Sequence, residues 1–297
     1  MHKLLVALLL PLLPALSEVE GLTAAAPEGK KLVLIAGKIS HGPGDHEFRA
    51  GSLLLQKCLE KTAGLEVVVV PNGWPEDVKV FDGAAAVVIY ADGGGGHPFI
   101  QGDHKKIIDD LAKKGVGIGM MHYGVEVPKD KGGPEFTEWI GGYYESAYSC
   151  NPMWSPDYQK FPDHPISRGV KPFSTNDEWY MSIRFRPEMK GVTSLLVAKP
   201  SDQVRKGPYV YPKGPYDHIV AASGQDETMM WCVERADGGR GFGFTGGHKH
   251  KNWGNDSQRK IVLNALLWVC KIDVPEGGVE STVTEDDLKA NLDPKKK

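Results

Sequence analysis

The chain has 297 residues, of which 41% are hydrophobic and 25% charged, a composition suited to one large globular domain, with or without embellishments. A net charge of -3 lacks the basic footprint of nucleic-acid binding, so no nucleic-acid partner is expected. The four cysteines contain no CxxC pair, which argues against a cysteine zinc site.

The start reads as an export signal. Lys3 precedes an apolar stretch over 4–16, too short to span a bilayer comfortably, and Ala24, Ala25 and Ala26 offer a cleavage site. Glu18 and Glu20 lie between the two features, and Pro27 disfavours a cut directly before it, so cleavage near Ala24 or Ala25 fits best. Residues 1–26 are therefore expected to be a cleaved signal peptide, and the mature protein periplasmic or secreted without stable membrane insertion. Export permits disulfides. Cys58, Cys232 and Cys270 nevertheless sit in apolar element-like surroundings and read as buried free thiols, whereas Cys150 falls in a loop.

Strand and helix then alternate. The continuous apolar run 32–36 predicts a strand buried on both faces. A helix follows over 47–62, ended by Gly64, then strands at 66–70 and 84–90. An amphipathic helix over 103–114 leads to a strand at 116–121. This rhythm implies a doubly wound α/β fold with a mainly parallel sheet and right-handed crossovers. Residues 141–224 are rich in Tyr, Trp, Pro and Gly and read as an inserted region of short antiparallel strands, with alternating pieces at 179–185 and 194–198. Strands return at 229–233 and 241–245, followed by a helix over 257–269. From 273 to 297 the polar sequence predicts a loosely docked tail with a solvated basic tip, Lys295 to Lys297.

The histidines cluster where strands end. His41 and His46 follow the first strand, His97 the third and His122 the fourth, and His248 and His250 follow 241–245. In an open α/β sheet the carboxyl ends of the strands share one edge, where ligands bind, so distant segments would deliver imidazoles to one cleft. The loop 40–47 carries glycines that permit close backbone approach, but no Gly-Lys-Ser/Thr, so it is not a P-loop. Asp45 or His46 could instead simply cap the helix, with Glu47 favourable at its positive end. The run Gly93 to Gly96, with Gly95 and His97, could hold a hydroxyl-rich ligand or be only a turn. At Met121-His122-Tyr123-Gly124 a strand-to-helix turn resembles a nucleophile elbow presenting His122, with no serine or cysteine for acyl transfer. If 248–250 stays extended, His248 and His250 point to one side at a metal-ligand spacing, although Lys249 and Lys251 oppose a dication. Glu178 beside Trp179 could have a raised pKa and act as an acid, or lie in a surface strand.

Taken together, Ser40-His41-Gly42 with His46-Glu47, Gly115 to His122, His164-Pro165-Ile166 with Gly169, Asp177 to Tyr180, Gly239 to His248, and Asn264 with Leu267-Trp268 resemble the trehalose-utilisation (ThuA-like) family of the class I glutamine amidotransferase-like superfamily. The resemblance covers about 31–272, with the domain bounds at 30–272. It implies a flavodoxin-like core and a role in carbohydrate metabolism, often alongside oxidoreductases that make 3-keto sugars. His122 stands near the place of the superfamily's amidotransferase cysteine, which argues against glutamine hydrolysis.

The resulting expectation is an exported enzyme acting on a sugar or 3-keto-sugar derivative by isomerisation, elimination or hydrolysis, because a 3-keto group acidifies the neighbouring C–H. His122 is the candidate base, Glu178 the acid, and His46 a stabiliser or ligand. His41, Glu47, Gly95, His97, Tyr123, Trp179 and His248 are candidate substrate contacts, with Trp154 and Tyr180 as further stacking aromatics. The partner is a small-molecule carbohydrate. Two alternatives stand beside it: a non-catalytic carbohydrate-binding domain, and a metal-dependent hydrolase in which His46, His122 and His248 hold a divalent metal such as zinc.

Overall fold

The computed structural model describes residues 29–296, so the expected signal segment lies outside the described residues. Apolar runs without alternation build the centre of the sheet. β1 (Lys30–Ala36) and β3 (Ala84–Tyr90) lie side by side, with β2 (Leu65–Val70) outside β1. β4 (Gly117–Met121) pairs with β3, and all of these ladders are parallel. The inserted region holds four two-residue strands: β5 (Gly142–Tyr143), β6 (Met153–Trp154), β7 (Asp177–Glu178) and β8 (Arg184–Phe185). They pair antiparallel, β5 with β8 and β6 with β7, outside the main sheet.

The second half completes that sheet. β9 (Val192–Ala198), β10 (Glu227–Glu234) and β11 (Arg240–Phe244) give the order β2-β1-β3-β4-β11-β10-β9. β11 runs parallel to β4, whereas β10 is antiparallel to both β11 and β9. The piece expected at 194–198 as part of an elaboration is thus the edge of the main sheet.

Helices cover both faces, as double winding requires. One apolar layer joins β-strand side chains to α1 (Phe48–Leu59), and the other joins them to α2 (His104–Lys113) and α3 (Gly133–Trp139). Two short helices follow, α4 (Asp202–Lys206) and α5 (Asp217–Ala221). The largely buried α6 (Asp256–Val269) then packs on the α1 side, its amino end capped by Asn255. It approaches β4 so closely that a Cβ on Gly117 would fall 2.2 Å from the Val269 carbonyl oxygen. Glycine there sets the helix–sheet distance.

The tail differs from expectation. Val274 and Val279 are buried, and α7 (Glu285–Lys289) is closed by a Thr284/Asp287 capping box. An ion pair of 2.5 Å joins Lys57 to Asp287, and the Lys295 side chain is almost fully buried against Glu47. Polar pairs and buried valines together dock this segment, with Val283 and Leu288 also packed against the core. All four cysteines are free, and only Cys58 is not buried.

Candidate metal centre and its cleft

Four neighbouring strands, β1, β3, β4 and β11, end at one edge of the sheet. Their following loops supply His46, Asp92, His122 and His248, and β7 brings Glu178 over them. His122 leaves β4 at φ 53°, a left-handed turn that throws its ring over the sheet edge in the manner expected of an elbow. His46 also has positive φ, at 48°, and its amide donates to the His248 carbonyl at 2.9 Å.

The partners of the rings fix the tautomers. His122 Nδ1 lies 2.9 Å from the Thr245 carbonyl oxygen and must donate to it, which leaves Nε2 with a lone pair. His46 Nδ1 donates to Asp92 Oδ1 at 2.8 Å, so its Nε2 is bare too. These two bare nitrogens face each other at 3.0 Å, and His248 Nδ1 is also 3.0 Å from His46 Nε2. Glu178 Oε2 stands 2.7 Å from His248 Nδ1 and 3.9 Å from His122 Nε2. Its other oxygen accepts from Asn151 Nδ2 at 2.6 Å.

Such a donor set fits a divalent ion. Ligands held at roughly 2.0–2.2 Å around a tetrahedral ion stand about 3.4 Å from one another, and the distances here bracket that value. All four donor atoms lie within 4.8 Å of one another. Three ligands have a partner that fixes their orientation: Asp92 for His46, the Thr245 carbonyl for His122 and Asn151 for Glu178. Asp45 lies 3.5 Å from the outer nitrogen of His248.

The electrostatics favour neutral, ligand-competent imidazoles at two positions. Burial, then the charges of neighbouring histidines, pushes the pKa of His46 and His122 well below its ordinary value. Burial opposes protonation of His248 as well, but the hydrogen bond and charge of Glu178 outweigh it, and its pKa is raised. Lys249, expected to repel a dication, turns its ammonium to Asn176 Oδ1 at 2.9 Å.

Beside the cluster opens a cavity of about 260 Å³, lined by His41, His46, Tyr123, Glu126, Glu178 and Tyr180 among others. His41 lies at its mouth, with its ring centroid 3.6 Å from that of His46. Glu126, Asn151 and Tyr211 belong to this cleft without having been expected there. Burial, then the charge of Glu178, raises the Glu126 carboxyl to about 7. Tyr123 is pushed up to about 12 by burial and then by Glu126, and stays a neutral hydroxyl.

Several expected contacts lie elsewhere. Glu47 faces away, accepting from the Gly44 and Asp293 amides at 2.9 and 2.8 Å, and it forms no side-chain cap on α1. His97 is buried, with Nε2 donating to the Gly124 carbonyl and Nδ1 accepting from the Phe99 amide. Burial lowers its pKa to about 4, so it works as a neutral brace. Gly95 is exposed on a tight turn outside the cleft. Close passage explains the start of that glycine run, because a Cβ on Gly93 would sit 2.0 Å from the Tyr123 carbonyl oxygen. Trp179 is wholly buried, and Trp154 donates to its carbonyl at 3.0 Å, so both are core residues. His250 opens a 3-10 turn, His250–Gly254, instead of continuing an extended strand, and does not line the cleft. Asp177 accepts from the Gly247 and Lys249 amides and braces the turn that carries His248.

A family model described as trehalose utilisation (ThuA) matches residues 33–269. The chain belongs to the ThuA family. Membership implies a role in trehalose utilisation or carbohydrate metabolism and is consistent with the amidotransferase-like superfamily. Among solved structures, a ThuA-like protein from Bacteroides uniformis matches with a TM-score of 0.57 at 17% identity, over 84% of this chain and 94% of the other. One from Parabacteroides merdae gives 0.54 at 16%, over 87% and 94%. At these identities the likeness establishes the fold, a flavodoxin-like α/β sheet. No curated protein matches the ThuA-family chain in sequence.

Because Asp92 fixes the His46 ring, a zinc ion held by this cluster would be bound roughly 10–100-fold more weakly in Asp92→Asn, with folding retained. Titration with a competing chromophoric chelator measures this, and unchanged affinity would remove Asp92 from the centre.

Proposed function

We propose that this ThuA-family protein is an exported, metal-dependent enzyme of carbohydrate metabolism acting on a sugar or 3-keto-sugar derivative. The observation that carries the reading is the convergence of three imidazole nitrogens and one carboxylate oxygen beside a polar cleft. A divalent ion held by His46, His122, His248 and Glu178 would polarise a substrate carbonyl or hydroxyl oxygen as a Lewis acid. The cleft volume lies just below the roughly 300–1,000 Å³ of drug-sized sites, which suits a single sugar ring. Tyr123 and Tyr180 offer hydroxyls, and His41 sits at the entrance. Export rests on the sequence pattern of residues 1–26.

The proton work falls to Glu126 rather than to His122. His122 is a weak base, since burial and the neighbouring histidines lower its pKa far below the ordinary value and the bound ion would take its Nε2 lone pair. Glu126 has no side-chain hydrogen-bond partner among the described residues, and its raised pKa leaves it able to accept or donate near neutrality. As a base it would remove the proton from the carbon beside the carbonyl, and as an acid it would return it.

Metal analysis and turnover of 3-keto-glycosides test the reading together. Stoichiometric zinc or a similar ion, with activity lost to chelator and restored by metal, is expected. Metal-free protein with full activity would end the reading. Glu126→Gln should lower turnover by roughly 10²–10⁴-fold without loss of metal. In the wild type the carboxylate fraction falls as pH drops, burial holding this carboxyl above its ordinary range, so a base-limited rate falls in that direction. The variant should lack this limb of the pH profile. An unchanged profile would exclude Glu126.

A further inference from the structure

We propose that the carboxyl-terminal segment is a positioning element of the metal centre, with Lys295 clamping the His46 loop from outside the cleft. Lys295 carries an almost fully buried ammonium, with the side chain 2% exposed. It donates to the Asp45 carbonyl, and to the His46 carbonyl at 3.1 Å. Its counter-ion is the equally buried Glu47, at 3.3 Å. Glu47 in turn accepts from the amide of Gly44 on the loop and from the amide of Asp293 on the tail. Arg49 adds a bond of 2.8 Å to the Asn291 carbonyl. The two segments, about 250 positions apart in sequence, thus grip each other across His46.

The grip matters because of where it acts. His46 lies between β1 and α1 at positive φ, where a single antiparallel bridge of Asp45 with Lys249, and no longer ladder, pairs the loop with the His248 turn. Two carbonyls held by one ammonium, together with the His46 amide held by the His248 carbonyl, fix the peptide planes on both sides of His46 and so the point from which its ring reaches Asp92 and the cluster. Burying a lysine and a glutamate is costly unless both are paired, and removing one partner strands the other. Such a pair specifies a conformation more than it adds stability. The Lys57–Asp287 ion pair anchors the same tail to α1 without touching the loop, and so provides a control.

The inference rests on the proposed metal function for one of its two readouts only. In the full chain, Lys295→Met should speed hydrogen exchange at the amides of residues 44–48. It should also weaken Zn²⁺ affinity by about 10–100-fold, the range for groups that orient ligands. Asp287→Asn should loosen α7 and change neither quantity. Lys295→Gln, which keeps a donor but no charge, should fall between wild type and Lys295→Met, and it serves if the methionine variant folds poorly. Unchanged exchange at residues 44–48 in Lys295→Met, or equal effects from Asp287→Asn, would overturn the proposal and leave a simple anchor. If wild-type protein binds no Zn²⁺ but exchange rises only in the Lys295 variants, the positioning role stands and the metal reading falls.

Discussion

On the proposed reading, His122→Gln is expected to give a folded protein that no longer binds Zn²⁺. The ring is completely buried, donates through Nδ1 to the Thr245 carbonyl and points Nε2 at the centre of the cluster. Glutamine can keep the carbonyl bond but offers no imidazole lone pair at the same place. The loss in Zn²⁺ affinity should therefore exceed the roughly 10–100-fold seen when only an orienting partner is removed, and turnover should fall with it. Combining His122→Gln with Glu178→Gln should add little, because groups that act as one unit fail together. Metal content per chain and single-turnover rates measure this. Wild-type metal content in His122→Gln would sink the assignment of the centre.

Trp179→Ala is expected to be chiefly a stability variant, costing about 3–5 kcal/mol, the range for emptying a large buried aromatic site. Its indole donates to the Thr175 carbonyl at 3.0 Å and packs edge-on against Tyr158 and Phe244. Gly246 passes so near that a Cβ there would meet the ring at 2.5 Å. The denaturation midpoint in urea should fall, with substrate affinity little changed in whatever fraction folds. A normal midpoint with weakened sugar binding would return Trp179 to the cleft.

The parallel half of the sheet was legible because β1, β3 and β4 are short apolar runs closed by glycine or histidine, and their carboxyl ends define where a site must lie. From that rule His46, His122 and His248 followed directly. Side-chain direction was less accessible. Glu47 and His97 sit within a residue or a loop of true cleft positions, yet they brace the backbone, because spacing does not reveal which carbonyl or amide a side chain satisfies. Glu126 was missed although it follows the His122 turn by four residues at the same sheet edge, since a lone glutamate carries no periodic signal. Asn151 and Tyr211 come from the irregular insertion, whose path no pattern predicts. The tail misled by composition. Its Thr284/Asp287 cap and the isolated Val274 and Val279 were the signs of a docked segment.

The backbone beneath the cleft carries a conflict between endurance and use. His41, His46 and His122 all occupy left-handed conformations, at φ 58°, 48° and 53°. A side chain held there costs about 1–3 kcal/mol, whereas glycine adopts the same angles freely. A pool of variants chosen only for surviving heat would thus drift toward glycine at the exposed His41, whereas glycine at the buried His46 or His122 would also empty a packed site and strand Asp92 or the Thr245 carbonyl. Screens for robustness in this protein need a binding or turnover filter beside them, or they will strip the mouth of the cleft while its buried rings persist.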